Sequence, residues 1–258
     1  MKIISVANQK GGVGKTTTTV NLSVCFAKKG YKVLLVDLDP QGNASTGLGV
    51  RRSLIRNSVY DVLFEAVGIT EAAVKTKVPG LSVVPSSVHL SGAEIELVTA
   101  ENREFRLRDA LRRPLPYDYV IIDCPPSLNL LTVNAMVAAH SVLVPLQSEF
   151  FALEGLSQLL QTVERIRARF NRQLSVMGVV LTMYDRRNKL TEQVSDDVRA
   201  CLGDVVFETV IPRNVRLSEA PSHGLPALIY DHRCTGSEAY IDLARELIGR
   251  LPDRKVAA

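Results

Sequence analysis

Short, mostly apolar runs recur along this sequence, and they restrict the folds available to it. The runs cover residues 3–7, 33–36, 81–84, 119–122, 142–145, 176–181 and 205–211. Most of them do not alternate apolar with polar residues, which is typical of strands covered on both faces. Amphipathic stretches separate the runs, and the clearest, residues 153–170, places leucine, valine and isoleucine at three- and four-residue spacing. The pattern predicts an α/β fold with a doubly wound, mostly parallel sheet that binds ligands at the carboxyl ends of its strands.

The chain is expected to form one domain over residues 1–258, with a short polar tail at about residues 252–258. Its composition, 46% hydrophobic and 22% charged, is globular. The first apolar run is too short for a signal peptide, and no run approaches the roughly 18 residues that a membrane span needs. These observations predict a cytoplasmic protein. The scattered cysteines lack metal-ligand spacing and are predicted to be buried thiols: Cys25, Cys124, Cys201 and Cys234.

A glycine cluster, "ANQKGGVGKTTTT" at residues 7–19, follows the first apolar run. It departs from the common phosphate-binding loop G-x-x-x-x-G-K-[ST], because Gln9 replaces the first glycine and Lys10 precedes the others. Glycines at positions 11, 12 and 14 allow backbone N–H groups to converge on phosphate oxygens at a helix N-terminus. Lys15 would reach the outer phosphates, and the Thr16 hydroxyl would ligate Mg²⁺. The loop predicts nucleotide binding and raises the question of what a second lysine does there.

Acidic residues follow two other apolar runs. The stretch "VLLVDLDPQGN" ends a predicted strand at Asp37 and carries Asp39 in the next loop, and "YVIIDCPPS" ends another at Asp123. Because parallel strands end at one edge of a sheet, these carboxylates are expected near the phosphate loop. A strand-terminal aspartate can also be a simple cap or turn former. The pattern favours magnesium and water positioning, with Asp123 holding Mg²⁺ through water.

The basic residues are unevenly placed. Residues 165–216 carry ten Lys/Arg and six Asp/Glu, which accounts for the whole net charge of +4. A local basic excess is typical of a surface that binds a polyanion, and an ordinary solvated helix face gives the same count. Both interpretations stay open on charge alone.

Four motifs together resemble the deviant Walker A ATPases of the ParA/Soj chromosome-partitioning group, which are P-loop NTPases. They are K-G-G-V-G-K-T-T, D-L-D-P-Q-G-N, D-C-P-P-S-L and "IPRNVRLSEAPSHG", and the similarity extends over about residues 2–247. The resemblance implies a Mg²⁺-dependent ATPase that forms a homodimer around ATP. In this family the lysine that matches Lys10 contacts the phosphates of the other subunit. Such a cation offsets phosphate charge as an arginine finger does.

The resemblance also implies a role for each site residue. Asp39 would position or activate the attacking water, and Asp37 would support the Mg²⁺ shell beside Thr16 and Asp123. Residues 123–129 would form a switch that senses the γ-phosphate. Nucleotide contacts are expected from Lys10, Gly11, Gly12, Val13, Gly14, Lys15, Thr16 and Thr17 and, at the adenine, from Pro212, Arg213 and Asn214.

The ATP-bound dimer of such proteins binds DNA without sequence specificity, and the matching arginines here are Arg187 and Arg216. Both lie in the basic segment, which favours polyanion binding there, with assistance from Arg186, Lys189, Arg199 and Arg213. The implied partners are ATP, double-stranded DNA, a second copy of the chain and a ParB-type centromere-binding protein, and the implied location is the nucleoid. No membrane partner is expected, because "IGRLPDRKVAA" is short and polar, unlike the amphipathic membrane helix that ends MinD-like relatives.

Two classes of function remain open. In the first, the chain is a DNA-partitioning switch: the ATP dimer holds DNA, the ParB-type partner stimulates hydrolysis, and released monomers rebind elsewhere. In the second, the nucleotide-set state regulates replication initiation or positions a non-DNA cargo. A nucleotide-dependent ligase on the same scaffold is a third interpretation, but no substrate pocket for one can be identified in the sequence.

Overall fold

The structure is a computed structural model that describes residues 1–149 and 151–251, so the predicted polar tail lies outside the described residues. The strands are β1 (Lys2–Val6), β2 (Val33–Asp37), β3 (Val74–Lys75), β4 (Leu81–Val84), β5 (Tyr119–Asp123), β6 (Ser141–Gln147) and β7 (Ser175–Thr182). The helices are α1 (Lys15–Lys28), α2 (Asn43–Gly47), α3 (Val59–Leu63), α4 (Ile69–Ala72), α5 (Leu90–Leu97), α6 (Arg106–Leu111), α7 (Leu130–Ala138), α8 (Ala152–Arg169), α9 (Lys189–Leu202), α10 (Val215–Glu219), α11 (Ala227–Tyr230) and α12 (Thr235–Arg250). None of the described helices is long and apolar enough to cross a membrane.

The described strands form one sheet in the order β3-β4-β2-β5-β1-β6-β7. Neighbouring strands are parallel except for the short β3, which pairs with β4 in the antiparallel direction. This mostly parallel sheet with helices on both faces confirms the predicted fold class. Because β1, β2 and β5 are adjacent and parallel, their carboxyl ends lie side by side. Asp123 pairs in register with both Val6 and Asp37.

Two apolar layers cover the sheet. Along β1 and the residue after it, the side chains of Ile3 and Ala7 belong to one layer and those of Ile4 and Val6 to the other. Helices α3 to α9 pack in the first layer, and α1, α2 and α10 to α12 pack in the second. Since both faces of each central strand are buried, successive residues are apolar instead of alternating.

The amphipathic stretch predicted at residues 153–170 is α8, which confirms the prediction to within one residue at each end. Its buried side chains, Leu156, Leu159, Val163 and Ile166, recur at three- and four-residue spacing on one face. Arg167 and Arg169 lie in the last turn. A positive charge at that position interacts favourably with the helix dipole.

The strand predicted at residues 205–211 is wrong. A 3₁₀ turn, Gly203–Val205, begins the segment, and the chain then follows β7 with only isolated hydrogen bonds. The reason lies in α12, where the Glu246 carboxylate accepts from the N–H groups of Glu208 and Thr209 at 2.9 and 3.0 Å. These donors are satisfied by a side chain, so no continuous ladder forms.

The prediction of four buried thiols is confirmed for Cys25 and Cys124 and wrong for the other two. Cys201 is exposed near the end of α9. Cys234 is half-buried and caps α12, because its sulfur accepts from the N–H of Ser237 at 3.4 Å.

Candidate nucleotide-binding site

The glycine-rich loop lies where the sequence predicts it, between β1 and α1. Gly12 and Gly14 have φ angles of 76° and 83°, a left-handed conformation that residues with a Cβ rarely adopt. The Asn8 amide donates to a β6 carbonyl at 2.8 Å, and the Thr182 hydroxyl donates to the Val13 carbonyl at 2.9 Å, so side chains fix the loop to β6 and β7. The N–H groups of residues 11–14 have no hydrogen-bond partner among the described residues. They are available to phosphate oxygens.

Lys15 begins α1 and folds back over this loop. Its ammonium donates to the Lys10 carbonyl at 2.9 Å, and the residue is only 6% exposed. Burial lowers the pKa of Lys15, and the nearby Asp123 acts in the opposite direction. An anion would restore the solvation that burial removes, so the ammonium is well placed to exchange a neutral carbonyl for a phosphate oxygen.

Asp123 ends β5 and is fully buried. The Thr16 hydroxyl donates to one of its carboxylate oxygens at 2.7 Å, and the Thr19 hydroxyl donates to the other at 2.9 Å. The phosphate loop, the first turns of α1 and the end of β5 therefore form one hydrogen-bonded unit. Thr17, the remaining predicted contact of this helix turn, is half-buried.

Asp37 ends β2 next to Asp123 and is also fully buried. Its Oδ2 accepts from the N–H and the hydroxyl of Ser45 at 2.7 and 2.6 Å. Its Oδ1 has no hydrogen-bond partner among the described residues. Burial raises the pKa of both carboxyls, and the charge of Asp37 raises the pKa of Asp123 further.

The donor set around these two aspartates fits Mg²⁺, which prefers oxygen ligands. The buried Oδ1 of Asp37 lacks a partner, and the Thr16 hydroxyl keeps its lone pairs because it donates its proton to Asp123. A dication would also offset the cost of burying two neighbouring carboxylates. In residues 1–149 and 151–251, no three His, Cys, Asp or Glu side chains form a metal cage. Water and phosphate oxygens would complete the shell, as is usual for Mg²⁺.

Asp39 lies two residues beyond β2 and is 7% exposed. Its Oδ1 accepts from the N–H of Gln41 at 2.9 Å, and its carbonyl accepts from the N–H of Gly42 at 2.9 Å. The Arg52 guanidinium donates to the Gln41 carbonyl. This loop fixes one oxygen of Asp39, while Oδ2 makes no hydrogen bond with the described residues and can accept one from water.

Lys10 takes a different direction from Lys15. Its ammonium is 2.5 Å from the Glu149 carboxylate, which follows β6, and the two side chains are 48% and 35% exposed. The Gln9 amide donates to the Gly155 carbonyl of α8 at 3.1 Å, so the loop start is tied to this surface. The two lysines are thus separated into an inward and an outward position.

The predicted adenine loop, residues 212–214, follows the irregular segment that lies beside β7. The N–H of Arg213 donates to the Tyr184 carbonyl at 3.1 Å, and Pro212 is half-buried beside it. The Asn214 side chain caps α10 through its oxygen and donates to the Thr235 hydroxyl at 2.9 Å. Since both ends of this amide are engaged, Asn214 shapes the loop.

Both predicted DNA-contacting arginines are exposed and paired with carboxylates. Arg187, with a side chain 89% exposed, is 2.9 Å from Asp185. Arg216 is 2.9 Å from Glu219 and 3.7 Å from Asp231. Exposed ion pairs contribute about 0–1 kcal/mol, so a phosphate can replace these carboxylates at little cost.

The supporting basic residues differ in position. Arg186, Lys189 and Arg213 are exposed. Arg199 instead donates to the Phe207 carbonyl at 3.0 Å and is half-buried. The structure therefore corrects the expectation for Arg199, which is committed to packing the segment beside β7.

Three residues of the site were missed in the sequence: Thr19, Ser45 and Glu149. Thr19 follows Thr16 at helical i, i+3 spacing, and this signal could have identified it. Ser45 and Glu149 have no such signal, because Ser45 lies in α2, beyond the Asp39 loop, and Glu149 follows a different strand, β6.

Comparison with known proteins gives consistent matches along the chain. A family model described as an AAA domain matches residues 1–176. The chromosome partitioning protein ParA of Caulobacter vibrioides is 59% identical over 261 residues, covering 100% of this chain and 98% of that protein. The sporulation initiation inhibitor protein Soj of Bacillus subtilis is 53% identical over 247 residues, covering 95% and 98%.

Solved structures show the same fold. Cobyrinic acid a,c-diamide synthase of Mycobacterium smegmatis with bound ADP and magnesium has a TM-score of 0.84 at 37% identity, covering 96% of this chain and 94% of that one. The full-length identity to ParA accompanies a phosphate loop bonded to a strand-end aspartate, which is the geometry that the motifs predict. The chain belongs to the ParA/Soj family of chromosome-partitioning ATPases, within the MinD/ParA superfamily of P-loop NTPases.

Proposed function

We propose that this chain is an ATP-driven switch for DNA partitioning and that residues 1–258 act as one ATPase domain. The ATP-bound homodimer holds non-specific double-stranded DNA, and a ParB-type centromere-binding protein stimulates hydrolysis and release. The observation that carries the proposal is the convergence of three strand ends, in which Thr16 is bonded to Asp123 and the neighbouring Asp37 keeps an unpartnered buried oxygen.

In the proposed hydrolysis, each group near the phosphates has a separate task. The N–H groups of residues 11–14 hold the phosphate oxygens, and Lys15 exchanges the Lys10 carbonyl for an outer phosphate oxygen. Thr16, Asp37 and Asp123 hold Mg²⁺, which when bound neutralises charge on the β- and γ-phosphates. Asp39 accepts a hydrogen bond from the attacking water at Oδ2 and orients it for attack.

Lys10 acts on the other subunit in this proposal. Its exposed position beside Glu149 supports a role toward a second molecule, because the ammonium is not committed to its own loop. When the dimer forms, Lys10 leaves Glu149 for the partner's phosphates. There it offsets negative charge in a site from which water is excluded.

Two further segments act in this proposal, one at the adenine and one that links the bound nucleotide to the conformation of the protein. Pro212, Arg213 and Asn214 present backbone groups to the adenine, with Asn214 fixing the loop by its bond to Thr235. The switch at residues 123–129 runs from the Mg²⁺ carboxylate to Asn129, whose side chain caps α7 by accepting from the N–H of Thr132. Movement of Asp123 on hydrolysis would therefore reach α7.

Binding to DNA uses the surface of Arg187 and Arg216. Both residues follow β7, and their present partners are exposed carboxylates that phosphates can replace. Phosphate contacts carry no sequence information, which suits a protein that binds the nucleoid non-specifically. The proposed location is accordingly the cytoplasm, on the nucleoid.

The two lysines test the site. We expect Lys15→Ala to abolish binding of a fluorescent ATP analogue, and Lys10→Ala to retain binding by the monomer but lose the ATP-dependent dimer in light scattering. Lys29→Ala, an exposed lysine at the far end of α1, is the matched control and should behave as the wild type. Dimerisation of the Lys10→Ala protein with ATP would exclude the role of Lys10 in the partner's site.

A second candidate function is a nucleotide-switched regulator or cargo positioner. The name of the Bacillus subtilis relative, a sporulation initiation inhibitor, favours it. The ATPase site would be the same in both cases. A neighbouring reading frame for a ParB-like protein, together with centromere-like sites, would support partitioning, and their absence would support the regulator.

A further inference from the structure

A cavity rich in hydrogen-bond donors lies beside the loop that follows Asp39. Its volume is about 300 Å³, and its walls include Pro40, Gly42, Arg52, Arg56, Ser58, Asp61, Ser86 and Ser87. Ser86 follows β4 by two residues, so the cavity opens at the carboxyl edge of the sheet, where α/β folds bind ligands. The volume is within the range of small-molecule sites.

Several hydrogen-bond donors of this cavity have no partner in the protein. Ser86 is 3% exposed, and its hydroxyl makes no hydrogen bond with the described residues. The Arg56 guanidinium likewise forms no hydrogen bond or ion pair within residues 1–149 and 151–251. Arg52 uses one of its donors for the Gln41 carbonyl, and a guanidinium has five.

Among the acidic side chains, the cavity wall holds one carboxylate against its two guanidinium groups. Asp61 is the carboxylate in its wall, and its Oδ2 accepts from the N–H and the hydroxyl of Ser58 at 2.7 and 2.9 Å, which closes the cap of α3. The Ser58 hydroxyl also lies 3.0 Å from the hydroxyl of Ser87. Two guanidinium groups and one carboxylate thus line the cavity, and the hydrogen bonds that the carboxylate accepts from Ser58 serve the cap of α3. The cavity wall therefore has a net positive charge and an excess of hydrogen-bond donors.

We propose that this cavity is a binding site for a phosphate group. A tetrahedral anion with several acceptor oxygens matches two guanidinium forks and a buried hydroxyl, since arginine pairs with phosphate through parallel N–H donors. The ligand is inorganic phosphate or the phosphate of a small phosphomonoester. Its site adjoins the Asp39 loop, because the phosphate shares Arg52 with the Gln41 carbonyl. The proposal does not rest on the ATPase function.

The test is calorimetric titration of inorganic phosphate, at constant ionic strength, into the full chain carrying Lys15→Ala, which removes the inward lysine of the nucleotide loop. Saturable binding to one site is expected. In this background Arg56→Gln should weaken binding about tenfold and Ser86→Ala about threefold, by loss of a charged and a neutral donor. Arg51→Gln, an exposed neighbour outside the cavity, is the control and should bind as the parent does. If the buried Ser86→Ala protein unfolds in circular dichroism, the exposed Arg56→Gln variant decides.

Titration of glycerol 3-phosphate in parallel identifies the source of the phosphate. Tighter binding of the ester assigns the site to an organic phosphate, and tighter binding of the free ion assigns it to inorganic phosphate. Absence of saturable binding, an unchanged affinity in Arg56→Gln, or an equal loss in Arg51→Gln would overturn the proposal. Because the measurement uses no nucleotide, its failure leaves the ATPase proposal standing, and failure of the Lys10 and Lys15 experiment leaves this one.

Discussion

The ion pair between Lys10 and Glu149 makes a quantitative prediction about dimer formation. If Lys10 must leave Glu149 to reach the partner's phosphates, each subunit breaks this contact when the ATP dimer forms. Glu149→Gln keeps the size of the side chain and removes its charge. We therefore expect the variant to dimerise more tightly with ATP than the wild type.

The exposure of the pair sets the size of the effect. The Lys10 and Glu149 side chains are 48% and 35% exposed, so each pair contributes about 0.5 kcal/mol, well below a buried pair. Two pairs break per dimer, which gives about 1 kcal/mol against association and a roughly fivefold tighter dimer when they are removed. Because salt screens exposed charges, the difference should shrink at high ionic strength.

Sedimentation of Asp39→Ala protein with ATP measures this difference while the nucleotide is preserved. Glu154→Gln, an exposed glutamate in the first turn of α8, is the matched control and should leave the dimer unchanged. A dimer that is weaker in Glu149→Gln than in the control would refute the reasoning. It would mean that Glu149 supports the dimer instead of opposing it.

Three further predictions concern catalysis, DNA and pH. Asp39→Ala should keep ATP affinity and lower single-turnover hydrolysis at least about 100-fold, because it removes the group that orients water; normal turnover would exclude the role. Arg187→Glu and Arg216→Glu should each weaken DNA binding in fluorescence anisotropy and reduce the salt slope by about 1–2 per dimer, with dimerisation intact, whereas Arg172→Glu before β7 should not. Burial lowers the pKa of His140, whose Nδ1 accepts from a β1 N–H, so the native state binds fewer protons than the unfolded chain. The contribution of His140 to the free energy of unfolding should therefore be fully present above the ordinary histidine pKa of about 6.5 and should decrease as the pH falls below it. His140→Gln should reduce this dependence of stability on pH.

The sequence predicted the elements whose pattern reports burial directly. The central strands and α8 could be found because full burial on two faces or on one stripe leaves an apolar period in the sequence. The convergence of Asp37 and Asp123 could also be predicted, since parallel strands bring their carboxyl ends to one edge. The strand predicted at residues 205–211 was wrong because a side chain distant in sequence, and not the local pattern, decides the structure there. These residues are mostly apolar and lie beside β7, but the Glu246 carboxylate of α12 accepts from the N–H groups of Glu208 and Thr209, which a ladder would need.

The same limit applies within the site. The phosphate loop is a local motif, so its lysines, glycines and threonines could be assigned from their spacing. The partners that tune the site lie outside its motifs: Ser45 in α2 holds one oxygen of Asp37, and Glu149 after β6 holds Lys10. The contact of Lys10 with Glu149 joins loops that follow two different strands, and no short-range pattern records which loops meet. The strand order, in which β6 lies beside β1, brings these two groups together.

Charge counting has a related limit at the proposed DNA surface. The count over residues 165–216 treats ten basic side chains as equivalent, and the structure divides them. Arg199 donates a hydrogen bond to the Phe207 carbonyl beside β7, whereas Arg187 and Arg216 are exposed and paired with carboxylates. DNA therefore competes with acids of the same chain for these two arginines, and the net gain per contact is the phosphate interaction minus a weak exposed pair. The slope of DNA affinity against salt concentration reports how many arginines exchange a carboxylate for a phosphate. The net charge of +4 does not give that number.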